Sequence, residues 1–448
     1  MNRYLAILRP WTWPVLVSVA VVTGFATPGS DLPAAALWLS AVFAALACAA
    51  FLFDAAAQPG LFQRPAVRNV AIALGIFVIA VFVPLLVAAL KPLAIRGMAL
   101  YDPSAALLES LKLAGVLCAF WLGLCLSHTD DRARRLFDAL LYAGGLWAVA
   151  SIFMFILDPA GIYGEMKFGA GRLTGAFSSP NSAGTLFGAL AVMAMGRVVS
   201  RFLMRTDTQV IERIDPLMTM VCVVSLAALM LTVSRGALFA VIISGVGLAL
   251  VLLRGRVSLP MLAGVCLAGV LGLAVLFATP LAGVVGRLES INGDAAVRLT
   301  ILKSHFTFAG HQPLFGTGLG SFNTINNHII SADDYTALSL IRTMHNVYLQ
   351  WFEETGAAGL LALAGLNLAV LAPMVMAARR RPHMAGRLWA ILGGYAVFLL
   401  HGFTDYAFQE PALVLFIALI LGCGFGIAGN RSPEGKKIRQ KPAAENAV

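Results

Sequence analysis

Residues 217–253 read LMTMVCVVSLAALMLTVSRGALFAVIISGVGLALVLL, a run of 37 residues with one charged side chain, that of Arg235. A single α-helix of this length would be about 55 Å long, whereas the hydrocarbon core of a bilayer is about 30 Å thick. The run therefore predicts two membrane-spanning helices, 217–233 and 236–253, divided at Ser234-Arg235-Gly236. This division decides the topology, because a single span here would reverse the side on which every later segment lies.

The rest of the chain is similarly apolar. Of 448 residues, 59% are hydrophobic and 12% are charged, whereas a soluble domain carries about 25% charged residues. Runs of roughly 20 apolar residues recur, and each is long enough for one helical crossing. We predict an all-α polytopic membrane protein. Its twelve predicted spans are 12–27, 33–53, 70–90, 105–126, 136–157, 182–200, 217–233, 236–253, 259–278, 346–377, 386–404 and 411–428.

The distribution of basic residues supports the twelve spans and orients them. On this topology, 22 of the 32 Lys and Arg residues lie on the side of the two termini, and nine lie on the opposite side. Because basic residues collect on cytoplasmic loops, both termini are predicted to be cytoplasmic. Without the break at Arg235, the cluster Arg379–Arg381 would lie outside. The net charge of +10 is thus explained by the cytoplasmic loops and the lipid surface, and we predict no nucleic acid partner.

The predicted membrane domain covers residues 1–429, and the polar, basic segment 430–448 is expected to be a disordered cytoplasmic tail. Two segments on the outer side are unusually long, the glycine-rich 158–181 and the loop 279–345. The second has apolar-periodic patches, so we expect it to be folded and functional. All six cysteines lie inside apolar spans, and they form neither a disulfide framework nor a CxxC metal pattern.

The first candidate for chemistry is His345, where the long loop meets the tenth span. A histidine can take or release a proton near neutral pH, which suits general acid–base catalysis. Gly356 and Gly359 would allow a bend or close packing within the helix that follows. The alternative is a histidine at the start of a helix that touches only lipid headgroups.

Three arginines on the outer side are candidates for binding a phosphate through the guanidinium fork. Arg172 lies in the segment 171–181, GRLTGAFSSPN; Arg235 lies in the break between two spans; Arg298 lies in the long loop. The alternatives are a headgroup-binding arginine in a flexible loop and an arginine that extends to the interface from a span. The glycines of 313–322, PLFGTGLGSF, favour a structural turn over an anion site.

Two further pairs are polar. His401 and Asp405 are four residues apart and share a helix face, so they orient a catalytic group or form a satisfied pair. Glu353 and Glu354 follow His345 by about two turns, and one of them is expected to face a cavity. The other histidines show no metal-ligand spacing, so we predict no metal and no cofactor. They are His128, His305, His311, His328 and His383.

Together these motifs resemble those of the O-antigen ligase and O-antigen polymerase superfamily of bacterial envelope glycan transferases. The ligase signature is His followed by Asn, Ser or Gln, nine residues and G-x-x-G, which fits His345, Asn346, Gly356 and Gly359. Segments 172–181, 234–236 and 313–322 follow the family's order. The resemblance covers roughly residues 170–425, whereas the first 150 match only in hydropathy.

The resemblance implies transfer of a glycan from undecaprenyl diphosphate at the periplasmic face of the inner membrane, without a metal. His345 would be the general base, and Arg172, Arg235 and Arg298 would bind the diphosphate and stabilise its charge as it leaves. Direct attack by one acceptor would invert the anomeric configuration. The residues expected to contact substrate are Arg298, Asn346, Asn181, Glu354, His401 and Asp405.

Three functions remain open on these motifs. A ligase would move the glycan onto lipid A-core, and a polymerase would extend a carrier-linked repeat of O-antigen or exopolysaccharide. A transporter of an anion or of a lipid-linked sugar is a more distant alternative. Transporters place charged residues and broken helices near the midplane, whereas the candidates here lie at the outer boundary.

Overall fold

The structure is a computed structural model, and it is almost entirely helical. It describes residues 9–29, 32–55, 64–89, 100–163, 165–166, 171–204, 214–278, 288–332, 335, 339 and 341–430. The predicted tail therefore lies outside the described residues, apart from its first residue, Asn430.

Fourteen α-helices are described, and a pair of two-residue strands, β1 (Gly161–Ile162) and β2 (Glu165–Met166), forms an antiparallel hairpin. The helices are α1 Thr12–Ala26, α2 Pro33–Ala50, α3 Pro65–Ala89, α4 Pro103–Leu126, α5 Asp130–Leu157, α6 Pro180–Met204, α7 Pro216–Thr232, α8 Arg235–Leu253, α9 Leu259–Ala278, α10 Leu288–Ala309, α11 Phe322–Ile329, α12 Val347–Arg380, α13 Pro382–His401 and α14 Pro411–Gly429. A π-helical turn, Phe51–Ala55, continues α2, and a 3₁₀ turn, Ala407–Gln409, precedes α14.

Nine of the described helices are long and apolar enough to cross a membrane, so the prediction of an all-α polytopic protein is confirmed. Shorter apolar helices, Thr12–Ala26, Pro216–Thr232 and Ala263–Gly272, lie at the three remaining predicted spans. The count of twelve crossings stays a prediction. Some helices begin earlier than predicted: α5 begins at Asp130 rather than near 136, because the hydroxyl of Thr129 accepts a hydrogen bond from the Arg132 amide and caps the helix.

The break predicted within 217–253 is present. Helix α7 ends at Thr232, Val233 adopts the left-handed conformation with φ of 51°, and α8 begins at Arg235. The hydroxyl of Ser234 accepts a hydrogen bond from the Ala237 amide and caps α8. The chain thus reverses within two residues, and this turn brings Arg235 to the end of the helix bundle.

Apolar packing occupies the centre of the bundle, and ion pairs tie helices together at the end opposite to Arg235. Helix α6 packs against α7 and α13, and α14 packs against α4. Asp138 on α5 pairs with Arg197 on α6 at 2.9 Å and with Arg387 on α13 at 2.8 Å. Most of the predicted site residues lie at the other end of the bundle.

The predicted loop 279–345 contains two helices, α10 and α11, within its described part, as its apolar patches indicate. His305 of α10 is fully buried, and its Nδ1 lies 2.7 Å from Glu353 Oε2 of α12. The ring of Phe322 stacks on His305 with centroids 4.5 Å apart. Glu353 therefore anchors the folded loop to the helix bundle.

Helix α12 is interrupted at Gly356, where φ is 64° and ψ is −172°. The glycine-rich segment 313–318 lies in this interruption, which agrees with the prediction that these glycines form a structural turn. Backbone N–H and C=O groups of α12 that lose their intrahelical hydrogen bonds at the interruption form hydrogen bonds with the inserted segment. Four backbone bonds of 2.9–3.1 Å join the two: Ala357 N to Pro313 O, Ala358 N to Leu314 O, Thr317 N to Glu353 O and Gly318 N to Glu354 O.

Gly356→Ala is expected to destabilise the protein strongly. Residue 356 has a backbone conformation that is essentially restricted to glycine, so a side chain there costs about 1–3 kcal/mol, and a Cβ would also collide with the Leu314 carbonyl. The thermal unfolding temperature in detergent should fall by several degrees. Gly365→Ala is the matched control on the same helix, since a Cβ there meets nothing within 4 Å. An equal effect of the two substitutions would contradict the structural role of the interruption.

Candidate active site

Most of the predicted site residues lie at one end of the bundle, where α6, α8 and α12 begin and α7 and α13 end. Hydrogen bonds and close contacts connect them across these helix ends, although they are far apart in the chain. The residues that share this end are Arg172, Asn181, Arg235, Arg298, His345, Asn346, His401 and Asp405.

His345 is the residue before the N-cap of α12, and its backbone φ of 55° is unusual for a residue other than glycine. Its Nδ1 lies 3.7 Å from Oδ1 of Asp405, and its side chain is 22% exposed. The ring of Tyr406 packs edge-on against the imidazole with centroids 5.1 Å apart. Tyr406 therefore packs against the ring, Nδ1 faces the Asp405 carboxylate, and part of the ring remains accessible.

Asp405 connects His345 to the loop that carries Arg172. Its side chain is fully buried, and Asn181 Nδ2 donates to Oδ1 at 3.5 Å. Arg172 Nη2 in turn donates to Asn181 Oδ1 at 3.3 Å. A buried carboxylate is stable as an anion only with charged or hydrogen-bonding neighbours. The series Arg172–Asn181–Asp405–His345 supplies them and joins three helix ends.

Arg172 also caps the C-terminal end of α7. Its Nε donates to the Thr232 carbonyl at 2.8 Å, and its Nη2 donates to the Val233 carbonyl at 3.3 Å. The last carbonyls of a helix lack intrahelical partners and attract cations. Arg172 is therefore part of the structure of the turn as well as a positive charge beside Asn181.

Arg235, the first residue of α8, differs from Arg172 in its surroundings. Among the residues that the structure describes, its partly buried guanidinium makes no hydrogen bond or ion pair within the protein. The next residue, Gly236, lies against the His401 ring, where a Cβ would approach Nε2 to 2.8 Å. Arg235 therefore brings a positive charge to the same helix ends while its hydrogen-bond donors stay available.

His401 is buried, and its hydrogen-bonding partner is the hydroxyl of Thr185 rather than the carboxylate of Asp405. Its Nδ1 lies 2.6 Å from Thr185 Oγ1, which also donates to the Asn181 carbonyl at 3.1 Å. With Gly236 on its other side, the ring fills the space between α6, α8 and α13. The structure thus supports a packing role for His401, and it explains why glycine follows Arg235.

The turn 402–406, which carries Asp405, is held by the folded loop and by the start of α12. Arg298 Nη1 donates to the Thr404 carbonyl at 3.1 Å. Asn346 Nδ2 donates to the Phe403 carbonyl at 3.2 Å, while its Oδ1 caps α12 through the Leu349 amide. Both residues therefore fix the position of Asp405 relative to His345.

Glu354 lies further along α12 and does not contact His345. Its Oε1 accepts from Gln350 Nε2 at 2.9 Å, and its Oε2 accepts from the Gly320 amide at 2.8 Å. Gln350 Oε1 accepts from the Met344 amide at 3.2 Å. Glu354 thus links the glycine-rich turn to the backbone just before His345, which is a positioning role.

Sequence reasoning did not identify Tyr406, Ser178 or Ser179. Burial, reinforced by the negative charge of Asp405, raises the pKa of Tyr406 to about 12, and the two serines hydrogen-bond to it. Tyr406 therefore remains protonated at neutral pH and holds the imidazole from one side. The sequence signal that could have identified Tyr406 is its position directly after Asp405.

The described residues contain no group of three or more His, Cys, Asp or Glu side chains that could hold a metal ion. A metal-independent reaction stays a prediction. The arrangement combines a proton acceptor, His345, with a buried carboxylate and two guanidinium groups. Such a site can deprotonate a hydroxyl beside a group that leaves as an anion.

Residues 220–364 match the family model described as O-antigen ligase. The matched region contains Arg235, Arg298, His345, Asn346 and Glu354, and it ends before His401. The search of curated proteins found no match.

Proposed function

We propose, from the chain's membership of the O-antigen ligase and polymerase superfamily, that it transfers a glycan from undecaprenyl diphosphate to an acceptor hydroxyl of lipid A-core. We further propose that the site faces the periplasm, that the protein lies in the bacterial inner membrane, and that both termini are cytoplasmic. The excess of basic residues on the side of the termini supports this orientation.

The observation that carries the proposal is the connected series Arg172–Asn181–Asp405–His345 at one end of the bundle. It places a proton acceptor and a fixed cation within one site at helix ends. A donor anchored by a polyprenyl chain would keep the chain along the apolar helices and bring its diphosphate to this boundary. A site deep between the helices could not be reached in this way by a large glycan.

In the proposed reaction, an oxygen of the acceptor hydroxyl bonds to the anomeric carbon of the donor glycan. The proton of the hydroxyl moves to Nε2 of His345, because a proton on Nδ1 faces Asp405. The bond between the anomeric carbon and the phosphate oxygen breaks, and its electron pair leaves with undecaprenyl diphosphate. Arg172 and Arg235 stabilise the negative charge that develops on this leaving group.

The experiment is deletion of the gene followed by gel analysis of lipopolysaccharide. Loss of every band above the core, with restoration by the intact gene, is expected for a ligase. A remaining band of core plus one repeat would instead favour the polymerase. If neither lipopolysaccharide nor exopolysaccharide changed, both glycan functions would be wrong, and transport assays would become the next test.

A further inference from the structure

A cavity of about 160 Å³ lies between the last two turns of α5, the β1 strand and the loop that carries Arg172. Its wall includes Ser151, Phe155, Asp158, Tyr163 and Gly175. Ser151 lies six residues before the end of α5, so the cavity extends about 9 Å below that helix end. The cavity is separate from the His345 group, yet it adjoins the same arginine loop.

Two polar groups on α5 lie beside Gly175, a residue of the cavity wall, without a protein partner among the described residues: Ser151, which itself lines the cavity, and Trp147. Ser151 is 1% exposed and Trp147 is 4% exposed, yet Ser151 Oγ and Trp147 Nε1 make no hydrogen bond there. Both face Gly175, because a Cβ built on that glycine would lie 3.1 Å from Ser151 Oγ and 3.6 Å from Trp147 Nε1. Burying a hydroxyl and an indole N–H unpaired is costly, so these groups suit a polar ligand.

The wall combines apolar and aromatic surface with hydroxyl and carboxylate groups. A sugar ring offers matching surfaces, since its C–H face packs on aromatic rings and its hydroxyls donate and accept hydrogen bonds. The volume exceeds the 10–15 Å³ that one ordered water needs and is below the 300–1,000 Å³ typical of larger ligands. A hydrocarbon chain would leave Ser151 and Trp147 unpaired.

Position links this cavity to the phosphate-binding arginine. Gly175 follows Arg172 by three residues, so their Cα atoms are at most about 11 Å apart. Gly175 has a φ of 59°, which favours glycine, and any side chain at this position would crowd Ser151 Oγ. The rim is held in place by Tyr163, whose hydroxyl donates to the Ala26 carbonyl at 2.9 Å.

We infer that this cavity binds the sugar next to the diphosphate of the lipid-linked donor, with Ser151 and Trp147 as its hydrogen-bonding groups. The inference rests on the proposed function, since Arg172 would hold the diphosphate while the adjoining sugar occupies the cavity. On this inference, α5 and the loop that carries Arg172 recognise the donor sugar, whereas other residues transfer the proton.

The test compares the binding of two probes to the purified full-length protein in detergent: undecaprenyl diphosphate carrying one N-acetylglucosamine, and undecaprenyl diphosphate alone. Ser151→Ala should weaken binding of the sugar-bearing probe about five- to ten-fold, as expected for one lost hydrogen bond, and leave binding of the bare carrier unchanged. Trp147→Phe keeps the ring, removes the N–H and should act in the same direction.

Ser225→Ala is the matched control, because Ser225 on α7 is also a buried helix serine whose hydroxyl has no partner among the described residues. It should change neither affinity. If Ser151→Ala weakened the binding of both probes equally, or of neither, the inference would be wrong. The proposed function would still stand in that case, provided that the unaltered protein binds the carrier. If the unaltered protein bound neither probe, the proposed function itself would fail.

Discussion

His345→Ala is expected to lower the rate of glycan transfer about a thousand-fold while the protein still binds its donor. General-base catalysis typically contributes 10²–10⁴-fold, and the partly exposed imidazole beside Asp405 is the base that we propose. The measurement is transfer from an undecaprenyl-diphosphate-linked glycan to purified lipid A-core by the reconstituted protein, together with donor affinity.

Two further variants test whether the loss of activity is specific to His345 and Asp405. Asp405→Asn should also slow transfer, since the amide cannot stabilise the imidazolium that forms when His345 takes the proton. His311→Ala is the control, because within the described residues this exposed histidine of the folded loop has its hydrogen bond and its ring contact with Phe308, near the end of its own helix. Full activity of His345→Ala would exclude the histidine as the base.

Arg235→Ala is expected to weaken donor binding about ten- to a hundred-fold with little change in the thermal unfolding temperature. A hydrogen bond to a charged group contributes about 1.5–3 kcal/mol. Within the described part of the chain the guanidinium makes no hydrogen bond or ion pair, so its removal should cost binding rather than folding. Donor affinity and unfolding temperature are measured on the same preparation.

Arg254→Ala provides the matched control, because Arg254 follows the other end of α8 and is exposed. It should leave both quantities unchanged. Arg172→Ala, in contrast, should lower the unfolding temperature as well, because Arg172 donates to the Thr232 and Val233 carbonyls. A large loss of stability in Arg235→Ala, or unaltered donor affinity, would contradict the assignment of Arg235 to the diphosphate.

The helix boundaries near the site could be predicted because their causes are local. As one helix, the largely apolar run of 37 residues at 217–253 would be longer than the bilayer core is thick, so a break was required, and Ser234-Arg235-Gly236 was the polar position for it. The cap formed by Ser234 and the interruption at Gly356 follow from residue types at particular positions. The ordered motifs likewise identified the residues that share one end of the bundle.

The partners of those residues could not be predicted in the same way. Asn181 and Asp405, and Arg172 and Thr232, are distant in the chain, and their contacts depend on how the helices pack. Asp405 was paired with His401 on helix spacing, whereas its neighbours in the structure are Asn181 and His345. Helix α13 ends at His401, so the chain turns before Asp405 and the i, i+4 rule no longer applies.

The sequence by itself determined that the chain is a helical membrane protein and where the run 217–253 breaks, and it predicts which residues carry the chemistry. These properties follow from hydropathy, charge and short motifs, which act over one or two helix turns. Only the tertiary structure decided that Arg172 caps the end of α7, that Glu354 supports the backbone before His345, and that Ser151 lines a cavity with Trp147 beside it at Gly175. Such contacts depend on side-chain packing between helices that are remote in sequence, and no local pattern encodes that packing.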